Sequence, residues 1–159
     1  MIREMLGMAE GILQDLHNDH NEVDALLDSI AECEDGDERG RLFQEMKTKL
    51  LAHSHAEQEV LYNKLEASPD EESRSFAHEG KNEHQLVEQQ LTKMSSGYDR
   101  MSDQWSAELK VLHELVEHHV NEEETTGFSC ARDDFETDEL ERMGQQFQSR
   151  KQQLMARVA

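Results

Sequence analysis

The stretch Leu50-Leu51-Ala52-His53-Ser54-His55-Ala56-Glu57-Gln58-Glu59-Val60-Leu61-Tyr62 decides the fold. Its apolar residues recur every three or four positions, from Met46 and Leu50 to Val60, Leu61 and Leu65, which is the period of an amphipathic helix. His53 and Glu57 stand on that same inward stripe. Residues four apart share one helical face, about 6 Å from each other. A carboxylate on the buried face is costly unless it is paired or binds a metal. This helix, from roughly Glu38 to Ala67, therefore needs neighbours that complete a polar centre.

Three other segments have the same design. Leu13, Leu16, His20, Val23, Leu27 and Ile30 form a stripe within a helix expected from about Met8 to Glu32. Glu34-Asp35-Gly36-Asp37 ends it in a turn. Ser68-Pro69-Asp70-Glu71 predicts a helix start, with serine as N-cap and proline in the first position. The stripe that follows is Phe76, Gly80, His84, Val87, Leu91 and Met94, closed by Ser95-Ser96-Gly97. A fourth helix, from near Ser102, carries Trp105, Leu109, Leu112, Val116, His119 and Glu123. Helices of some 25 residues are roughly 37 Å long. Four of them joined by short turns predict an all-α, up-down-up-down four-helix bundle. An additional C-terminal helix, about 137–158, carries Leu140, Met143, Phe147, Leu154 and Val158. It is expected to pack across the bundle, with dimerisation as the alternative. The chain reads as a single domain, 1–159, with its core at 12–128.

Composition agrees. Charged residues make up 33%, aromatics 5%, and one proline and eight glycines interrupt 159 residues, so good helix formers dominate. A net charge of -20 opposes contact with nucleic acid or an anionic membrane. Cys33 and Cys130 stand far apart without a CxxC pair, which fits a reducing compartment. Met1–Gly7 contains no long apolar run, and a cytoplasmic location is expected. The Glu-x-x-His spacing of ferritin-like di-iron proteins is absent, as are the zincin motif, the P-loop and the nucleophile elbow.

One buried histidine is ordinarily satisfied by a backbone hydrogen bond. One on each of four stripes, with glutamates inward on two, is a different pattern. His20, His53, Glu57, His84, His119 and Glu123 are the candidate metal ligands. Imidazole and carboxylate without thiolate suit iron, zinc or manganese. Six ligands exceed one tetrahedral zinc and suit two metals, with bridging glutamates and two histidines on each metal. With a solvent-derived bridge, each octahedral iron keeps one position open for dioxygen, peroxide or nitric oxide.

These residues resemble the hemerythrin-like, HHE cation-binding domains of bacterial type, over about residues 12–157. The resemblance rests on Asp19-His20, on His53 through Tyr62, on Glu83-His84, and on His118-His119-Val120-Asn121-Glu122-Glu123 through Phe128. The family places an aromatic nine residues after each histidine of its His-x-x-x-Glu motifs. Tyr62 and Phe128 fall there, which selects His53 with Glu57 over the overlapping His55 with Glu59; that second pair stays open as an alternative. Asn63 and Ser129 replace the prolines usual after the aromatics. Gly80 stands where oxygen carriers of the family have a further histidine, so it marks either an open coordination position or a close helix contact. The resemblance implies a non-haem di-iron protein that binds dioxygen as carrier, store or sensor. The alternatives are a redox enzyme handling peroxide or nitric oxide, and an iron-storage or structural metal protein. His17, His55, His78 and His113 fall off the stripes, Glu122 and Glu124 are expected in solvent, and His118 is expected exposed, with a supporting role behind the site as the alternative. Tyr62 could hydrogen-bond near the site, though packing suffices to account for it.

Overall fold

The computed structural model describes residues 10–158; the expected helix start near Met8 and the Met1–Gly7 segment lie outside them. The chain is all-α. Helix α1 spans Ile12–Glu32 and α2 spans Gly36–Glu57. A π turn, Gln58–Tyr62, joins α2 to the short α3, Asn63–Glu66. Helix α4 is Glu71–Met94 and α5 is Asp103–Glu122. A second π turn, Glu123–Gly127, joins α5 to α6, Phe128–Asp134, and α7 is Thr137–Val158. Among the described residues there is no strand.

Short side-chain caps set the connections. The Asp35 carboxylate accepts the Glu38 amide and opens α2. Ser102 does the same for α5 through the Trp105 amide. The cap of α4 is Asp70, not Ser68 as the sequence suggested. Its carboxylate accepts the Ser73 amide at 3.1 Å, while the Ser68 hydroxyl accepts the Asp70 amide at 3.0 Å. A carboxylate facing the positive helix terminus wins the cap, and Ser68-Pro69 become the turn before it. At one end of the bundle the buried Arg39 guanidinium donates to the carbonyls of Ile30 and Arg100 and lies over the Trp105 ring. The first bond serves a carbonyl in the last turn of α1, where α-helical partners run out, and the second ties Arg39 to the loop before α5.

The four rods, α1, α2–α3, α4 and α5–α6, bury their stripes against each other as two apolar clusters. One holds Leu13, Leu16, Leu61, Tyr62, Phe76 and Phe128; the other holds Val23, Leu27, Phe43, Met46, Leu91 and Trp105. Each fully buried aliphatic or aromatic side chain contributes roughly 1.5–3 kcal/mol. The inward histidines and glutamates lie at the level between the clusters.

Helix α7 packs across α1 and α2 and buries Leu140, Met143 and Phe147. Two glycines permit the close approach. A Cβ on Gly144 would lie 2.9 Å from the Ile12 amide nitrogen, and one on Gly11 would lie 2.2 Å from the Leu140 carbonyl oxygen. Gly11 also has φ +51, a conformation other residues adopt rarely.

Candidate metal centre

Each rod of the bundle delivers one histidine to a single level. His20, His53, His84 and His119 are buried, and Glu57 and Glu123 have no solvent exposure. Their inner atoms converge. His84 Nε2 lies 3.2 Å and His53 Nε2 3.7 Å from Glu57 Oε1. His20 Nε2 lies 3.0 Å from Glu123 Oε1, and His119 Nε2 3.6 Å from Glu123 Oε2. Two donor groups result: Glu57, His84, His119 and Glu123 on one side, and His20, His53 and Glu123 on the other. Glu123 belongs to both. All six residues singled out in the sequence meet here. The overlapping pair points elsewhere, with His55 exposed beside Glu88 and Glu59 bound by Arg150.

The outer nitrogens of the four rings are held in a closed circuit around the bundle. His53 Nδ1 meets Asp19 Oδ2 at 2.9 Å, from α2 to α1. His20 Nδ1 meets Glu124 at 2.7 Å, and His119 Nδ1 meets Glu83 at 2.7 Å. The Gln58 side-chain amide is 2.8 Å from His84 Nδ1. A carboxylate accepts the Nδ1 proton and leaves the Nε2 lone pair facing inward, the arrangement that metal-binding imidazoles use. Each of these partners adjoins a candidate ligand in the sequence and serves a histidine on another helix. They are the functional residues that sequence reasoning missed. Glu124 is the plainest correction, because it was expected in solvent. It is part-buried and grips both His20 and His17, the latter at 2.8 Å.

The inner atoms are less well served: His84 Nε2 and His119 Nε2 lie 2.9 Å apart, and four others lack partners. Both oxygens of Glu57 are buried without any hydrogen bond, and His20 Nε2 and Glu123 Oε1 have none beyond their own 3.0 Å approach. Orphaned buried polar atoms are rare in folded proteins and expensive. The charges are strained as well. Burial, then the Glu123 charge, pushes the Glu57 carboxyl well above the usual range. Burial also opposes ionisation of Glu123, but the His20 and His119 rings outweigh it and hold that carboxyl well below its ordinary value. Burial opposes protonation of His20 too, yet the Glu123 and Glu124 carboxylates raise it to about 9. Burial lowers His53 and, helped by the His119 charge, lowers His84 strongly. Four inward imidazoles and two carboxylates with unused lone pairs fit a pair of cations.

The π turns bring a further group into the centre. Five residues along a straight α-helix rotate a side chain by roughly 140°. A π turn absorbs one extra residue and leaves about 40°, so Tyr62 comes close to the direction of Glu57. The Tyr62 hydroxyl donates to Glu123 Oε2 and lies 3.2 Å from His119 Nε2. Its ring stacks on His84 at 5.1 Å and meets Phe76 edge-on. Packing alone therefore does not account for Tyr62. Nor is there open space at Gly80, because a Cβ there would lie 2.8 Å from the Tyr62 ring and 3.0 Å from its oxygen. The missing side chain makes room for the phenol.

Space lies on the other face of the histidines. A cavity of about 20 Å³ is bounded by His20, His53, His84 and His119 and walled by Val23, Leu50, Val87 and Val116. A polar surface pocket of about 300 Å³ between α1, α2 and α7 shares Asp19, Val23 and His53 with it.

Buried imidazoles and carboxylates on four packed helices define a metal-binding helical bundle. Residues 11–131 match the hemerythrin HHE cation binding domain, and the chain belongs to that family. It is 31% identical over 109 residues to an uncharacterized hemerythrin-like protein of Schizosaccharomyces pombe, covering 69% of this chain and 53% of the relative. It is 24% identical over 140 residues to a DNA nickase of Nostoc sp., covering 88% of this chain and 39% of the relative. The chain thus spans about half or less of the curated relatives it matches. No solved structure matches. No helix among the described residues is long and apolar enough to cross a membrane.

Proposed function

We propose that this chain is a non-haem di-iron protein that binds dioxygen or a related small ligand, as carrier, store or sensor. The observation that carries the reading is the small apolar cavity against all four histidines. A space of about 20 Å³ suits one water-sized or diatomic molecule. His20, His53 and Glu123 would hold one metal, and His84, His119, Glu57 and Glu123 the other. When bound, the irons supply positions for the small ligand and reversible one-electron chemistry; zinc or manganese could take their place. The chain's own residues do the rest. Val23, Leu50, Val87 and Val116 exclude bulk water, and the Nδ1 partners fix each ring. The two free thiols, Cys33 and Cys130, suit the reducing cytoplasm in which we place the protein.

Tyr62 favours a second reading, a redox enzyme acting on peroxide or nitric oxide. Its hydroxyl is a proton donor inside the centre, and burial with the Glu123 charge keeps it protonated. The activity in the name of the Nostoc relative is not carried over, because the chain's net charge of -20 opposes a polyanion.

The test is the optical spectrum of anaerobically iron-loaded protein as dioxygen is admitted. A visible band that appears with the gas and vanishes on its removal supports a carrier or sensor. Irreversible oxidation of the irons without that band overturns reversible binding and favours the enzyme.

A further inference from the structure

We infer that Lys151, on α7, is a positioning residue of the metal centre: it grips Asp19, Asp19 orients His53, and the C-terminal helix thereby sets the metal affinity of the His20–His53 position. This rests on the metal-centre reading above and extends it to a helix outside the matched residues 11–131.

Lys151 Nζ lies 2.9 Å from both carboxylate oxygens of Asp19, and one of those oxygens lies 2.9 Å from His53 Nδ1. The lysine and aspartate side chains are only 15% and 13% exposed at the wall of the surface pocket, so the link is screened less than an exposed pair. Phe147, one turn earlier on α7, meets the His53 ring edge-on at 5.5 Å and 86°. Lys151 Nζ itself lies 5.3 Å above the Phe147 ring. Two contacts from one helix therefore constrain His53. The ammonium fixes the Asp19 carboxylate plane, which fixes the direction of the Nδ1 proton and the aim of Nε2. Phe147 stops the ring from turning.

No other histidine of the centre has such a support. His119 is held by Glu83, whose second partner is His118, a side chain 65% exposed. His20 is held by Glu124, which is shared with His17. His84 is held by a neutral amide. The two metal positions are thus inequivalent, and the one containing His53 answers to α7. Arg150 supplies an internal control. It also ties α7 to the bundle, through Glu59 at 2.6 and 3.1 Å, but Glu59 touches none of the candidate ligands.

The experiment is a cobalt(II) titration of the metal-free full chain, followed by ligand-field absorption and calorimetry. It compares wild type, Lys151→Met, Lys151→Arg and Arg150→Met, with helix content checked by circular dichroism. Lys151→Met is expected to weaken one of two cobalt sites about tenfold, the low end of the cost of disturbing the outer partner of a metal-bound histidine, here Asp19, and to leave the other unchanged. Lys151→Arg restores the weakened site, and Arg150→Met alters neither. Should Lys151→Met lose helix content, Lys151→Gln is read in its place with the same expectation. Equal cobalt affinities in the Lys151→Met and Arg150→Met proteins, or equal weakening of both sites, overturn the inference while leaving the metal centre standing. Wild-type protein that takes up no cobalt overturns the metal centre and this inference with it.

Discussion

Gly80 and Tyr62 are complementary: a Cβ on the glycine would lie 2.8 Å from the tyrosine ring, whose hydroxyl reaches Glu123. The glycine on α4 is the seat of a phenol delivered by α2–α3. Gly80→Ala should gain about 1 kcal/mol of helix propensity and lose about 1–3 kcal/mol to overpacking, so a net loss near 1 kcal/mol is expected. Urea unfolding of the metal-free protein measures it. In a Tyr62→Ala background the same change should be stabilising. A destabilisation of equal size in both backgrounds would show that Tyr62 is not what Gly80 accommodates.

Tyr62→Phe keeps the ring on His84 and removes only the donor to Glu123. A hydrogen bond to a charged group contributes about 1.5–3 kcal/mol, and the metal-free protein should lose about that much stability. Nitric oxide binding to iron-loaded protein should persist, since the cavity lies on the opposite face of the histidines. Peroxide turnover, if the protein has it, should fall at least tenfold. Full retention of both stability and turnover would deny the hydroxyl any part in the centre.

The stripes carried most of this architecture because burial imposes a period on sequence. His20, His53, His84 and His119 were legible as inward residues, and so were Glu57 and Glu123. Asp19, Gln58, Glu83 and Glu124 were not, for a geometric reason. Each sits one position, or about 100°, from an inward residue, and so points along the seam toward a neighbouring helix. Its partner is known only once the order of helices around the bundle is known. Tyr62 was legible mainly as a packing residue, its hydrogen bond only as an alternative, because a straight helix would turn it away from the centre and the π turn that rotates it inward has no signature in composition. Lys151 lies on a helix whose docking site the sequence left open.

The register of the second motif is testable by deletion. His53→Ala should lower bound zinc per chain and the melting temperature together, as should His119→Ala, because ligand loss removes binding energy that the fold shares. His55→Ala should change stability by no more than about 0.5 kcal/mol, since the side chain is exposed and meets only Glu88 at 3.5 Å. Elemental analysis and a thermal melt decide it. Loss of zinc in the His55 variant with full retention in the His53 variant would reverse the assignment.

Metal loading should be tied to protons, and the sign follows from the metal-free centre. His20 is protonated up to about 9, against an unfolded value near 6.5. Its contribution to stability is therefore complete below about 6.5 and disappears as pH rises through about 9. Glu57, also raised, adds a loss of the same sign on deprotonation. Zinc needs both groups without protons. At pH 7.5, zinc binding should thus release at least the one proton of His20, seen as a calorimetric heat that varies with the ionisation enthalpy of the buffer. Above about pH 9 the proton on His20 is already gone, and the release should fall by about one. The metal-free protein should lose stability between pH 6.5 and 9 while zinc affinity rises, so the melting temperatures of the two forms diverge with pH. A zinc-binding heat independent of buffer at pH 7.5 would mean that neither His20 nor Glu57 gives up a proton to the metal, and the inward histidine cluster would then be neutral before any cation arrives.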